Sequence, residues 1–161
     1  WETCMTMGNS WSYVPNDTYK SARQLIHTLI KIVSRGGNLL LNIGPGPDGD
    51  WDPVAYERLR DIGAWIKINS EGIYGSEAVA PFAKDNQFYT KHKNGTTRFA
   101  FWLSEKDEIP LPDEIAIPIA ATDQLKKVSV LGIHQALEYT RENSNLKINF
   151  TAQVKQNKEQ G

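Results

Sequence analysis

At 161 residues the chain can hold one good domain or two small ones, and at 40% hydrophobic and 23% charged its composition is that of an ordinary folded protein. A formal net charge of −1 argues against a dedicated binder of nucleic acid or of a membrane surface, since either partner demands a basic patch. No stretch reaches the roughly 18 apolar residues of a membrane-spanning helix, and Cys4, the one cysteine, allows neither an internal disulfide nor a thiolate metal cluster.

Residues 1–16 read as a short segment of mixed polarity and then a loop rich in Gly, Asn, Ser and Pro. Trp1 is not an initiator residue and no basic stretch leads into an apolar one, so the chain reads as an excised or processed piece. Five Trp and six Tyr are many for this length, and Trp1, Trp11, Tyr13 and Tyr19 sit close together. Such a cluster is core, interface or a platform for stacking sugars, and composition alone favours core.

A helix is predicted from about Asp17, capped by Asn16 or Asp17, because Ala22, Leu25, Ile26, Leu29, Ile30 and Val33 follow the i, i+3, i+4, i+7 pattern. Gly36-Gly37 ends it, since glycine readily takes the left-handed conformation after a helix. Leu39-Leu40-Leu41 with Ile43 then forms a nearly continuous apolar run. It fits a strand, Asn38–Ile43, buried on both faces as in a parallel sheet with helices outside. After a glycine-rich loop, Ala55, Leu59, Ile62, Ile66 and the flanking Trp65 mark a second amphipathic helix ending near Asn69. Residues 17–69 thus read helix, strand, helix, one turn of an α/β sheet or barrel.

Past about Ala78 the grammar changes to short alternating segments: Phe88–His92, Thr96–Leu103, Glu114–Ala120, Lys127–Leu131, Ala136–Tyr139 and Leu146–Phe150. Asn94-Gly95 between the first two is a strong hairpin signal, because both residues tolerate positive φ. Strands at this spacing predict a small antiparallel sandwich. The polar tail Gln153–Gly161 is expected to fray.

The loop from Gly44 invites two chemical readings. Gly44, Gly46 and Gly49 spell G-x-G-x-x-G, but Pro45 and Pro47 remove two of the N–H donors a phosphate needs. Asp48, Asp50 and Asp52 add negative charge where the anion should sit, and the helix starts only around Pro53. A nucleotide-dependent oxidoreductase is therefore disfavoured. The same aspartates imitate the opening of a calcium loop, yet Pro53 and Leu59 stand where that loop needs glycine and a bidentate glutamate. What remains is a turn from the carboxyl end of a strand into a helix, with the aspartates capping and solvating. No metal or cofactor is predicted, and a looser surface calcium site near Asp48–Asp52 stays open. In α/β folds that strand end is the functional face.

The other informative stretch is W-E-T-C-M-T-M-G-N-S-W-S-Y, Trp1 to Tyr13. Glu2 stands among apolar neighbours with aromatics close in sequence. A carboxyl group in an apolar, aromatic-lined cleft has its charged form disfavoured, which suits it to proton donation. A surface glutamate at a strand end is the alternative.

W-E-T-C-M-T with S-W-S-Y, then S-R-G-G-N-L-L-L-N-I-G-P-G-P-D-G, then W-I-K-I-N-S-E-G-I-Y-G-S resembles the α-L-fucosidases of glycoside hydrolase family 29. The resemblance runs in order through residues 1–77. Ser12 and Ser70 depart from it, standing where the family commonly has glycine. The fold it implies is α/β followed by all-β: residues 1–77 as the C-terminal part of a (β/α)8-type catalytic barrel, residues 78–161 as a β-sandwich domain incomplete at its end. The activity it implies is retaining hydrolysis of terminal α-L-fucose, with fucosylated glycans as substrate and the N-terminal barrel portion of the same protein as structural partner. Glu2 takes the role of general acid/base, Trp11 stacks on the sugar near its methyl group, and Trp1 supports the wall. The nucleophile lies upstream of residue 1, as do the histidines that grip the fucose hydroxyls. None of His27, His92 or His134 lies in a matching motif. A secreted, periplasmic or lysosomal location follows from the resemblance alone. A non-catalytic carbohydrate-binding module is the alternative.

Overall fold

The computed structural model describes residues 1–104, 112–120, 122–133 and 137–150. His134, Ala136 and the tail Gln153–Gly161 lie outside the described residues. Two compact units divide between Leu103 and Ser104.

The first unit opens with β1 (Glu2–Thr6), α1 (Ala22–Val33), β2 (Asn38–Asn42) and α2 (Pro53–Ile73). β1 and β2 pair in parallel from Glu2↔Asn38 to Thr6↔Asn42. Parallel neighbours cannot be joined by a tight turn, and α1 supplies the crossover. α1 starts five residues later than the sequence pattern predicts its onset. Ser21 accepts from the Gln24 N–H while the Gln24 side chain returns to the Ser21 N–H, a capping box. Asn16 and Asp17 are drawn into a turn instead: Asn16 has φ 59°, and the Asp17 N–H donates to Val14 O at 3.2 Å. The helix ends as expected, with Gly36 at φ 80° and the Gly37 N–H on Ile32 O at 3.1 Å.

α2 begins at Pro53, with Asp52 accepting from Val54 N at 2.9 Å. It runs four residues past the expected end because its last turn is buried rather than capped early. A Cβ on Gly72 would lie 2.6 Å from Phe101 Cζ. Buried Thr90 donates its hydroxyl to Gly72 O at 2.8 Å. Met7, Leu25 and Ala55 form a core between helices and strands, with Met5 and Leu41 packed on it. That core covers one face of the β1–β2 pair. Alternate residues turn to the other face, where Leu40 remains 48% exposed. Burial of β2 on both faces, expected from its apolar run, is therefore met on one face only: the helices of this chain lie on the Met5–Leu41 side.

β3 (Ser76–Lys84), β4 (Gln87–His92) and β5 (Arg98–Trp102) form an antiparallel meander in the same unit. Its aromatics pack back on the helices: Trp65 and Phe101 rings stand 6.3 Å apart, and the Arg35 guanidinium lies 5.3 Å over the Phe88 ring. The change of grammar near residue 78 is the switch from helix to strand, while the compact units divide later because this sheet belongs with α1 and α2. Between β4 and β5, Gly95 takes φ 76° and donates to His92 O at 2.7 Å. Gly95 supplies the positive φ; Asn94 instead accepts from Thr96 N at 3.1 Å.

Tyr89, 5% exposed in β4, donates its hydroxyl to Gln87 Oε1 at 2.9 Å. Burial, reinforced by Asp85, pushes its pKa up to about 12. A raised tyrosine pKa contributes stability that is whole below the unfolded value near 10 and is lost as pH climbs from about 10 to about 12. Urea titrations across that window should show about 2–3 kcal/mol of extra loss in the native protein. In Tyr89→Phe most of that pH-dependent part should vanish. An unchanged pH profile would show that Tyr89 ionises as freely folded as unfolded.

The second unit holds β6 (Glu114–Pro118), β7 (Glu138–Glu142) and β8 (Asn145–Asn149), antiparallel in the order β6-β8-β7. Ile119, Leu137, Leu146, Ile148 and Phe150 are its core. Lys127–Leu131 is not a strand, although Val128 and Val130 still pack on that core. Alternation there reflects burial with no more pairing than an isolated bridge at Ser129. The Arg141 guanidinium donates to Asp123 O and Ala120 O at 2.8 and 2.7 Å, closing the segment after β6 onto β7.

Candidate active site

Glu2 is the first residue of β1, exposed, on the face it shares with Cys4 and Thr6. Its carboxylate accepts a weak thiol hydrogen bond from Cys4 Sγ at 3.9 Å. Across the pair stand Asn38 and Leu40. The described residues thus leave Glu2 open to solvent instead of lining it with aromatics.

Trp1 is anchored on the turn that follows α1. Its Nε1 donates to Arg35 O at 3.2 Å, and its ring lies on Gly37, where a Cβ would come within 2.5 Å of Cζ2. The residue nevertheless stays 63% exposed.

Trp11 lies beyond the opposite, carboxyl end of β1 and is 57% exposed. Four residues of strand, about 13 Å at about 3.3 Å each, separate Glu2 from that end. The loop carrying Trp11 is fastened at its base. Lys20 Nζ donates to Thr6 O and Gly8 O at 2.8 and 2.7 Å, and Lys20 N–H donates to Met7 O at 2.9 Å. Asp17 accepts from Asn9 N at 2.9 Å, and that N–H foremost holds its carboxyl below the usual carboxylate range.

The loop after β2 runs alongside. Asn42 Nδ2 donates to Trp11 O at 2.9 Å. A Cβ on Gly44 would lie 2.5 Å from Tyr13 N and 2.7 Å from Ser12 C, and one on Gly46 would lie 3.7 Å from Tyr13 Cε2. Residues 11–13 and 42–46 are therefore laid side by side at the strand ends. The aspartates of this loop serve it locally. Asp48 accepts from Asp50 N at 3.2 Å, Asp50 from Trp51 N at 2.9 Å, and Asp52 caps α2. The Tyr56 hydroxyl also donates to Asp50, and chiefly this bond, then the Trp51 N–H, holds the Asp50 carboxyl below the usual range. The same bond raises the Tyr56 hydroxyl. Trp51 and Tyr56 rings meet at 5.5 Å. Among the described residues, no group of three or more His, Cys, Asp and Glu stands together as a metal site would.

The sequence pointed to Trp11 but missed Lys20, Asn42 and the Trp51–Asp50–Tyr56 assembly. Asn42 directly follows the apolar run, at the strand end where a polar side chain is free to cross to a neighbour, and that was the one available signal. His27 lies on α1, where burial foremost, then Arg23 and Lys31, push its pKa down.

Parallel strands followed by helices, with aromatic-bearing loops gathered at their carboxyl ends, define an α/β protein of the kind whose sites occupy that face. The family model described as α-L-fucosidase matches residues 1–71. Tissue α-L-fucosidase of Mus musculus is 31% identical over 150 residues, covering 88% of this chain and 32% of the relative. Plasma α-L-fucosidase of Homo sapiens is 46% identical over 78 residues, covering 46% of this chain and 17% of the relative. The crystal structure of Thermotoga maritima α-fucosidase in complex with fucose superposes with TM-score 0.82 at 27% identity, covering 97% of this chain and 36% of that one. The chain belongs to the α-L-fucosidase family and spans about a third or less of the relatives it matches.

Proposed function

We propose that the chain is part of a retaining exo-α-L-fucosidase that removes terminal α-L-fucose from glycans. Residues 1–77 supply the last part of a (β/α)8-type barrel and residues 78–161 a β-sandwich domain. The observation that carries this reading is the family match over residues 1–71, which contains Glu2, Trp11, both parallel strands and the glycine-rich loop. The exposed Leu40, in a strand otherwise built for burial, suits a barrel whose further strands cover that face.

Glu2 acts as general acid/base. A carboxylate nucleophile from elsewhere in the protein attacks the anomeric carbon while Glu2 gives its proton to the glycosidic oxygen, and the glycan leaves as an alcohol. Glu2, now ionised, takes a proton from the water that attacks the fucosyl ester, which frees fucose and the nucleophile. Retention requires the two carboxyls about 5–5.5 Å apart. The neighbours of Glu2 on its own face, Cys4, Asn38 and Leu40, carry no carboxylate, which supports a nucleophile from another part of the enzyme. Trp11 stacks on the apolar side of the sugar, with the fucose held between its ring and Glu2 across the roughly 13 Å of strand that separates their backbones, and Trp1 supports the wall. The setting is secreted, periplasmic or lysosomal, on family resemblance alone.

Residues 1–161 by themselves should show no turnover of an aryl α-L-fucoside, because proton donation without a nucleophile leaves the first covalent step without a partner. The full-length protein should release fucose with the α-anomer formed first, read by NMR. Turnover by the 161-residue chain would place the nucleophile inside it and overturn the assignment.

A further inference from the structure

The loops at the carboxyl ends of β1 and β2, with the first turn of α2, carry more exposed aromatic surface than one fucose can use. Trp11 is 57%, Tyr13 37%, Trp51 37% and Tyr56 42% exposed. These rings are held in place, not loose. Tyr13 rests against the Gly46 turn, and Asp50 ties the Trp51 backbone and the Tyr56 hydroxyl to one carboxylate. Ring contact between Trp51 and Tyr56 at 5.5 Å completes the assembly. Exposed, preorganised aromatics are costly to keep in water unless something covers them.

We propose that Trp51 and Tyr56, continued by Tyr13, form a platform for the saccharide units next to the terminal fucose. This rests on the fucosidase reading, which puts the fucose against Trp11. Asn42 to Gly46 spans at most about 14 Å, so the platform begins within reach of the sugar that adjoins the fucose. Sugars present C–H faces to aromatic rings and hydroxyls to the carboxylates between them, and Asp48 and Asp50 stand exposed beside these rings. Further barrel strands are the wrong cover. They would pair along β1 and β2 and shield strand faces, whereas these rings lie beyond the strand ends, on the loops and, for Tyr56, on the first turn of α2.

The test uses the full-length enzyme and compares kcat/KM for 2′-fucosyllactose or 3-fucosyllactose with that for 4-nitrophenyl α-L-fucoside, which has no second sugar. In Trp51→Ala the ratio of trisaccharide to aryl fucoside should fall about fivefold to tenfold, the loss of one stacking contact. Tyr56→Phe keeps the ring while releasing Asp50, and should lower the ratio by about twofold through KM rather than kcat. An unchanged ratio, whether both substrates are unaffected or fall together, overturns the platform, as does a wild-type enzyme that cleaves the aryl fucoside but neither trisaccharide. Failure of the fucosidase reading is distinct: the wild type would then release fucose from none of the substrates.

Discussion

Glu2→Gln in the full-length enzyme should lower kcat/KM for fucosides with poor leaving groups by about 10²- to 10⁴-fold, the range of a lost general acid. Activated aryl fucosides should keep most of their first-step rate, because a leaving group that departs as a stable phenolate needs no proton. Hydrolysis of the fucosyl ester would then slow, since glutamine cannot deprotonate the incoming water, and the covalent species should accumulate in a burst visible by mass spectrometry. Glutamine is isosteric with glutamate and Glu2 is exposed, so no cost in folding is expected. A small effect equal across leaving groups would reduce Glu2 to a binding residue and move the acid/base elsewhere.

Gly44→Ala should be the most damaging single methyl in the first unit. The new Cβ would lie 2.5 Å from Tyr13 N and 2.7 Å from Ser12 C, and neither is the movable end of a side chain. Relief requires the two loops to part, at a cost of about 1–3 kcal/mol. On a unit of this size each kcal/mol lowers the melting temperature by roughly 4–8 °C. Parting the loops also breaks the Asn42–Trp11 bond, so the KM for fucosides should rise as well. Gly63→Ala is the matching control. Gly63 lies within α2 with nothing inside 4 Å of an added Cβ, so alanine there should stabilise by about 0.8–1 kcal/mol through helix propensity. Melting temperatures moving in opposite directions for the two variants would support this account. A neutral Gly44→Ala would mean that the loops do not touch as described.

These contrasts also show where the sequence was readable. Apolar spacing gave α1 and β2, and Gly95 gave the hairpin, because each is decided within a few residues. β3 escaped notice: its segment is alanine-rich and contains Pro81, and the register shifts between Ala78 and Ala83, where a residue without an N–H fits. The onset of α1 was misread because Asp17, a good cap in isolation, is spent on Asn9 across the loop. α2 outran its expected end because Gly72 is a helix breaker only until Phe101 and Thr90 claim its surface. At the candidate site the same divide holds. Trp11 could be singled out within its own motif, but Asn42 reaches it across 31 positions, a pairing that only the folded strands create.

The seat of Gly72 against Phe99 and Phe101 has a consequence for recombination. A crossover placed at residue 78, where the helices give way to strands, would hand α2 a foreign sheet whose rings were never shaped to a missing side chain. The donor of Thr90 would go with it. A junction at Leu103–Ser104 moves the meander together with the helix it was cut to fit. Gene shuffling, natural or deliberate, should therefore find its viable seam some twenty-five residues later than the visible change of pattern.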